Sequence, residues 1–155
     1  MTESGSARAA HVLSSAESVL AADPAQVWML VADPSRVGEW AALETIGYMG
    51  TELPRQGQVL FVRTRRWQRP AAARRVEVEE WEAGSRYRCV LEPSRSVNAA
   101  TLEVVIHPEP TGEVVATRIR LMQRMEAKPQ AARMVQWIVD RRLERMLDRI
   151  ERATR

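Results

Sequence analysis

The sequence predicts an α+β fold: a seven-stranded, curved antiparallel sheet wrapped around one long C-terminal helix, with two short helices after the first strand. Three observations predict it. From Pro129 to Arg152 there is no internal Gly or Pro, and Val135, Ile138, Val139, Leu143, Met146, Leu147 and Ile150 fall on one arc at the 3.6-residue period. Asp140, Arg141, Glu144, Arg145 and Asp148 fall on the opposite arc. Between residues 43 and 125 the chain reads as short strands separated by turn residues, the signature of an antiparallel meander. The dipeptide Asp-Pro, a helix-start signal, occurs at 23–24 and again at 33–34. A C-terminal helix of about 35 Å, at 1.5 Å per residue, cannot leave its apolar stripe in water. The sheet is the natural cover.

Taken in order, Val12 to Ala21 reads as the first strand, although Ser and Ala fill its middle. Asp23 is a good N-cap and Pro24 suits the first helical position, with Val27, Trp28, Leu30 and Val31 as the apolar face. Asp33-Pro34 opens a second short helix carrying Val37 and Trp40. Strands then follow at Leu43–Met49, Gln58–Trp67, Arg74–Glu82, Arg86–Glu92, Val97–His107 and Val114–Met125. The loops between them hold Pro54, Pro70, Gly84 and Pro93. Pro108 to Gly112 reads as a Pro/Gly-rich hairpin loop. Alternation places Leu102, Val104 and Ile106 on one face of the sixth strand. On the seventh it places Val115, Thr117, Ile119 and Leu121 inward and Arg118, Arg120 and Arg124 outward.

Composition sets bounds. The 155 residues suffice for a real core, with residues 1–10 expected as a flexible tail and 11–153 as a single domain. No apolar run is long enough to span a membrane. The first ten residues lack a hydrophobic signal segment, and the single Cys89 cannot form an internal disulfide; a cytoplasmic location fits both. Two His and one Cys far apart give no metal-ligand spacing, so neither metal nor cofactor is expected. The net charge of +3 comes mostly from Arg. Arg63, Arg65, Arg66, Arg69, Arg74 and Arg75 cluster, but Glu77, Glu79, Glu80 and Glu82 follow at once. Cross-strand ion pairs on a solvated face account for this better than a nucleic-acid surface, so no nucleic-acid partner is expected.

The segment from Ala21 to Trp40 resembles the opening of polyketide cyclase/dehydrase-like proteins of the START-like (SRPBCC, Bet v 1-like) superfamily. Pro24, Val27, Trp28, Leu30, Asp33, Pro34 and Trp40 match that pattern residue for residue, and Asp23 before Pro24 is a departure. The resemblance extends over nearly the whole chain, because the later strands and final helix follow the order of this helix-grip fold. It implies a cavity for a hydrophobic, lipid-like or polyketide-like molecule between sheet and C-terminal helix. The motif residues pack the short helices and do no chemistry, so the resemblance informs fold more than activity.

The residues themselves permit a cavity, since Ala100, Thr117, Cys89, Val78 and Val115 are small for inward positions. Apolar ligand sites commonly occupy about 300–1,000 Å³ with few polar anchors. Arg142 interrupts the apolar arc of the final helix; it must snorkel, pair with a sheet carboxylate such as Glu80, or anchor an anionic or carbonyl-bearing ligand. Tyr87 is a hydrogen-bond donor for a ligand carbonyl or an ordinary core-edge residue. Cys89, on the same strand face, has nothing nearby to activate it. Gln123 is the polar residue near the end of the last strand's inward row. Trp40 and Trp67 are aromatic walls near the cavity entrances, and Val135 and Val139 line it from the helix. Trp137 falls on the polar side of that helix, where it marks a self-association surface or is covered by the preceding loop. His11 and His107 have no triad partners, and no paired carboxylates are placed for glycosidic chemistry, so no catalytic residue is assigned. The expected function is binding of a hydrophobic small molecule, as a monomer or homodimer. The resemblance also admits a polyketide cyclase or aromatase, and a chaperone-activating type of interaction module.

Overall fold

The computed structural model describes residues 8–49, 56–64, 73–93 and 99–155. Trp67, Arg65, Arg66, Arg69, the first seven residues of the expected tail and the expected starts and ends of strands at Val97 and Trp67 lie outside them. The described chain is an α+β arrangement of one antiparallel sheet and a long C-terminal helix. Its elements are β1 (Ala10–Leu20), α1 (Pro24–Ala32), α2 (Val37–Trp40), β2 (Leu43–Met49), β3 (Val59–Thr64), β4 (Arg74–Glu82), β5 (Arg86–Leu91), β6 (Ala100–Thr111), β7 (Val114–Ala127) and α3 (Ala132–Ala153), with 3-10 turns at Pro34–Arg36 and Pro129–Ala131. The strands are hydrogen-bonded in the order β1-β7-β6-β5-β4-β3-β2. Among the described residues no helix is long and apolar enough to cross a membrane.

The helix starts follow from the Asp-Pro pairs. The Asp23 carboxylate accepts from the Ala25 N–H at 2.8 Å, and Asp33 accepts from the Ser35 N–H at 2.9 Å. Each satisfies one donor that the first turn leaves free. α2 ends at Ala41, and Ala42 takes φ +53°, the left-handed conformation that closes a helix before a strand. The Thr45 hydroxyl then donates to the Pro34 carbonyl at 2.7 Å, tying β2 to the turn between the two short helices.

Two bulges bend the sheet where a cavity needs it. The register shifts between Thr45 and Gly47 on β2 and between Val78 and Glu80 on β4. An extra residue in one strand of a pair kinks that strand and increases its twist. α3 packs chiefly along β1, with further contacts to β7, α1 and α2. Val139, Leu143, Met146, Leu147 and Ile150 are its buried face. The helix thus covers the β1–β7 edge, α2 sits against β2, and α1 crosses β6 and β7 with its Trp28 against Trp81 and Tyr87.

Several expectations need correction. Pro108 to Gly112 is not a loop: β6 runs through Pro108 and Pro110 to Thr111, and the turn is Gly112-Glu113, with Gly112 at φ +64°. The prolines are tolerated because β5 has ended by then. The Ile106 N–H still reaches the Ser85 carbonyl at 2.7 Å, and by alternation the ring nitrogens of residues 108 and 110 face the side that no strand occupies. Val115 is 50 % exposed, because the β6–β7 hairpin projects past the core, although its parity is that of the buried Thr117, Ile119 and Leu121. Ile138, placed on the apolar arc of α3, is 41 % exposed. Trp137 is 61 % exposed with the Arg141 guanidinium 6.0 Å from its ring centre.

The outer face of the sheet carries the cross-strand ion pairs. Arg75 meets Glu77 and Glu92, Arg86 meets Glu80 and Glu103, Arg88 meets Glu79 and Glu80, and Arg118 bridges Glu17 and Glu109. Such half-exposed pairs fix register more than they stabilise. They also neutralise most of the arginine-rich face.

Candidate ligand-binding site

The sheet end under the short helices contains an apolar cavity of about 80 Å³. Its roof is Val31, Val37, Trp40 and Ala41 from α1 and α2, and its floor is contributed by β2 to β6, including Leu60, Val78, Trp81, Tyr87 and Cys89. No residue of α3 lines it. The expected position between sheet and C-terminal helix is therefore displaced: α3 seals the β1–β7 end, and the unfilled space lies where only the two short helices cover β3, β4 and β5.

Trp81 and Tyr87 build one wall, and Trp28 packs against both rings without lining the cavity. Trp28, Trp81 and Tyr87 meet with ring centres 5.1 to 5.9 Å apart, Trp81 and Tyr87 stacked and Trp28 edge-on to Tyr87. The Tyr87 hydroxyl donates to the Val31 carbonyl at 2.7 Å, so its proton serves to hold α1 on β5. Burial, and then the Cys89 charge, raises the Tyr87 pKa. Burial pushes the Cys89 thiol up to about 12, with Glu79 adding to it, which leaves no thiolate at neutral pH. Asp33 lines the cavity, but its carboxylate is committed to the Ser35 N–H and hydroxyl. Trp40 is 2 % exposed and its indole N–H has no hydrogen-bond partner among the described residues. That is the unsatisfied donor of this wall, at a cost of about 1–3 kcal/mol unless something accepts from it.

The cavity shares Ala41, Leu43, Leu91 and Leu102 with a second, larger pocket of about 340 Å³ between α2, the sheet and the flank of α3. Here α3 does contribute, through Ile138, Arg142, Arg145, Met146 and Arg149, and Arg74 and Gln123 face them from β4 and β7. This vestibule is where the helix meets the ligand space.

The sequence-derived candidates distribute over these two spaces. Trp40, Tyr87 and Cys89 line the inner cavity, and Gln123 and Arg142 line the vestibule. Val139, 2 % exposed, and Val135 pack into the core instead and line neither, because the arc holding them faces β1 rather than the gap. Trp67 is outside the described residues. Glu80 is not the partner of Arg142; it is engaged by Arg86 and Arg88 on the outer face. Trp81, Arg74, Arg145 and Arg149 are wall residues that the sequence reading did not select. The signal for the arginines was present: Arg142, Arg145 and Arg149 recur at the i, i+3, i+7 spacing of one helix flank.

A bulged antiparallel sheet closed by two short helices and one long one, over an apolar cavity, defines the START-like, Bet v 1-like class. The chain belongs to the polyketide cyclase/dehydrase and lipid transport family, whose model matches residues 11–154. Solved structures with the same fold include a Staphylococcus aureus protein of unknown function, at 12 % identity, TM-score 0.76 and 95 % of each chain covered. They include truncated norcoclaurine synthase from Thalictrum flavum, at 15 % identity, TM-score 0.67 and 93 % of each chain. The protein Ara h 8.0201 aligns at 11 % identity with TM-score 0.64, over 94 % of this chain and 98 % of that one. Among curated proteins no relative matches by sequence.

Proposed function

We propose that the protein binds a hydrophobic small molecule in the cavity beneath α1 and α2, with the vestibule along α3 as its mouth. The observation that carries this is an apolar space lined by the rings of Trp40, Trp81 and Tyr87, in which the buried Trp40 indole N–H has no partner among the described residues. Interiors pack to crystal-like density with few voids, and an apolar void that is kept is the kind of space that takes up apolar molecules. Family membership supports the same reading, since the family is described by polyketide cyclisation, dehydration and lipid transport. The inner cavity alone is smaller than the cavity of about 150 Å³ that admits benzene. The ligand therefore extends from it into the vestibule, with its most apolar part innermost.

Binding accounts for the site better than catalysis. Tyr87 has spent its proton on Val31, Cys89 is held as a thiol, and Asp33 caps a helix turn. None is free to move a proton on a bound molecule. A thermal-shift panel of fatty alcohols, sterols and aromatic polyketides tests the reading. A ligand at 100 times its Kd adds about 2.7 kcal/mol, which raises Tm by roughly 5–10 °C for a domain of this size. A panel without any shift overturns it.

A further inference from the structure

We propose that the vestibule along α3 is an anion-recognition site, so that the ligand is an amphiphile whose apolar part enters the cavity and whose carboxylate or phosphate head is held by Arg142, Arg145, Arg149 and Arg74. The inference rests on the cavity being a ligand site and names the class of ligand it takes.

Charge composition points there first. Elsewhere on the sheet, Arg75 of β4, Arg86 and Arg88 of β5 and Arg118 and Arg120 of β7 meet carboxylates. In the vestibule the rule breaks: four arginines line one pocket, and no Asp or Glu is among its described lining residues. Arg142, Arg145 and Arg149 make no hydrogen bond or ion pair with any described residue. Arg74 spends one nitrogen on the Glu92 carbonyl at 2.8 Å, while its buried Nε has no partner. Like charges gathered in one pocket repel, and desolvation makes the repulsion stronger. Arg142 feels both: as a residue it is exposed, yet its guanidinium is desolvated, and that and the Arg74 charge lower its pKa. An anion in the pocket would add an attraction to each guanidinium that offsets this repulsion.

A second, independent observation is Gln123. It is 6 % exposed, lines the same pocket, and its amide has no hydrogen-bond partner among the described residues. An amide N–H₂ beside a cluster of guanidiniums adds a neutral donor to charged ones, the mixture that planar oxyanions take. The apolar residues Leu43, Leu91 and Leu102 line both the vestibule and the inner cavity. Thus one molecule meets cations at one end and hydrocarbon at the other.

The test uses three octyl compounds that differ only in the head: octanoate, octyl phosphate and octanol. Each competes with the neutral fluorophore N-phenyl-1-naphthylamine for the full-length protein. The expected result is that at least one anion displaces the probe at a concentration about tenfold or more below octanol, the scale of one charged hydrogen bond. Whichever anion gains more identifies the head as carboxylate or phosphate. That preference should shrink as salt rises from about 0.05 to about 0.5 M, whereas octanol displacement holds or strengthens. The R142Q/R145Q protein should lose the preference and keep octanol binding; R141Q, on the far side of α3 beside Trp137, should keep both. Equal displacement by all three compounds, with the fluorophore still bound, overturns the anion site and leaves the hydrophobic cavity standing. Failure of the fluorophore and all three compounds to bind overturns both.

Discussion

At the scale of single residues, three side chains carry most of what distinguishes this site. Tyr87 is structural: its hydroxyl joins β5 to the last turn of α1 through the Val31 carbonyl. Tyr87→Phe keeps the ring stack with Trp81 and should cost about 1–2 kcal/mol by urea denaturation. Cys89 is inert while folded. Ellman's reagent should label it at the global unfolding rate and not before; labelling within seconds in native buffer would show the thiol to be reachable. Its raised pKa also sets a sign for stability against pH. Below about 9, its ordinary value, the thiol is protonated in both states and its contribution is fully present; between there and about 12 the unfolded chain ionises and the folded one does not, so stability falls as pH rises. Cys89→Ala should flatten the decline in urea midpoint between about pH 8 and about pH 10.5. Arg142 shows what residue-level reading of a sequence can reach. Its position inside an apolar arc marked it as anomalous, but its neighbours in space, Arg74 on β4 and Gln123 on β7, are 68 and 19 positions away in the chain. Only the strand order brings them together.

At the scale of elements, local chemistry decides where helices start and what the strands bury. The Asp23 and Asp33 caps were legible because an N-cap uses residues two apart. Strand β4 was legible to its ends, Arg74 and Glu82, because turn residues flank it. β6 was not, because Pro108 and Pro110 read as loop residues; whether a proline fits a strand depends on whether a neighbour strand needs its N–H, which one strand's sequence does not record. On α3 the heptad-like arc overreached at Ile138, which is exposed, whereas Val135 at the other flank packs against the core. Leu143→Ala, at the centre of the covered stripe, should cost about 3 kcal/mol. Trp137→Ala, on the exposed flank, should change stability by less than about 0.5 kcal/mol, and equal losses for the two would mean that α3 is docked on another face. Ala42, at φ +53°, pays a steric cost that glycine does not. Ala42→Gly should therefore leave thermal stability unchanged or raise it, and a fall in Tm would count against the left-handed closure of α2.

At the scale of the whole molecule, the fold class was readable from periodicity and the short-helix motif, whereas the place of the cavity was not. Both ends of the sheet present similar inward residues, chiefly Val and Leu. What separates them is coverage: α3 lies along β1 and β7, and the bulges of β2 and β4 open the far end beneath two helices too short to fill it. The proposed ligand site follows from that asymmetry, with an apolar chamber beneath the short helices and an arginine-lined pocket at the junction with α3. Native mass spectrometry of freshly purified protein tests this most directly. The account predicts a population heavier than the 17.6 kDa chain by one small molecule, shed as an anion on collisional activation and depleted in the R142Q/R145Q protein. A bare chain mass, unchanged after incubation with octanoate, octyl phosphate and octanol, would contradict it.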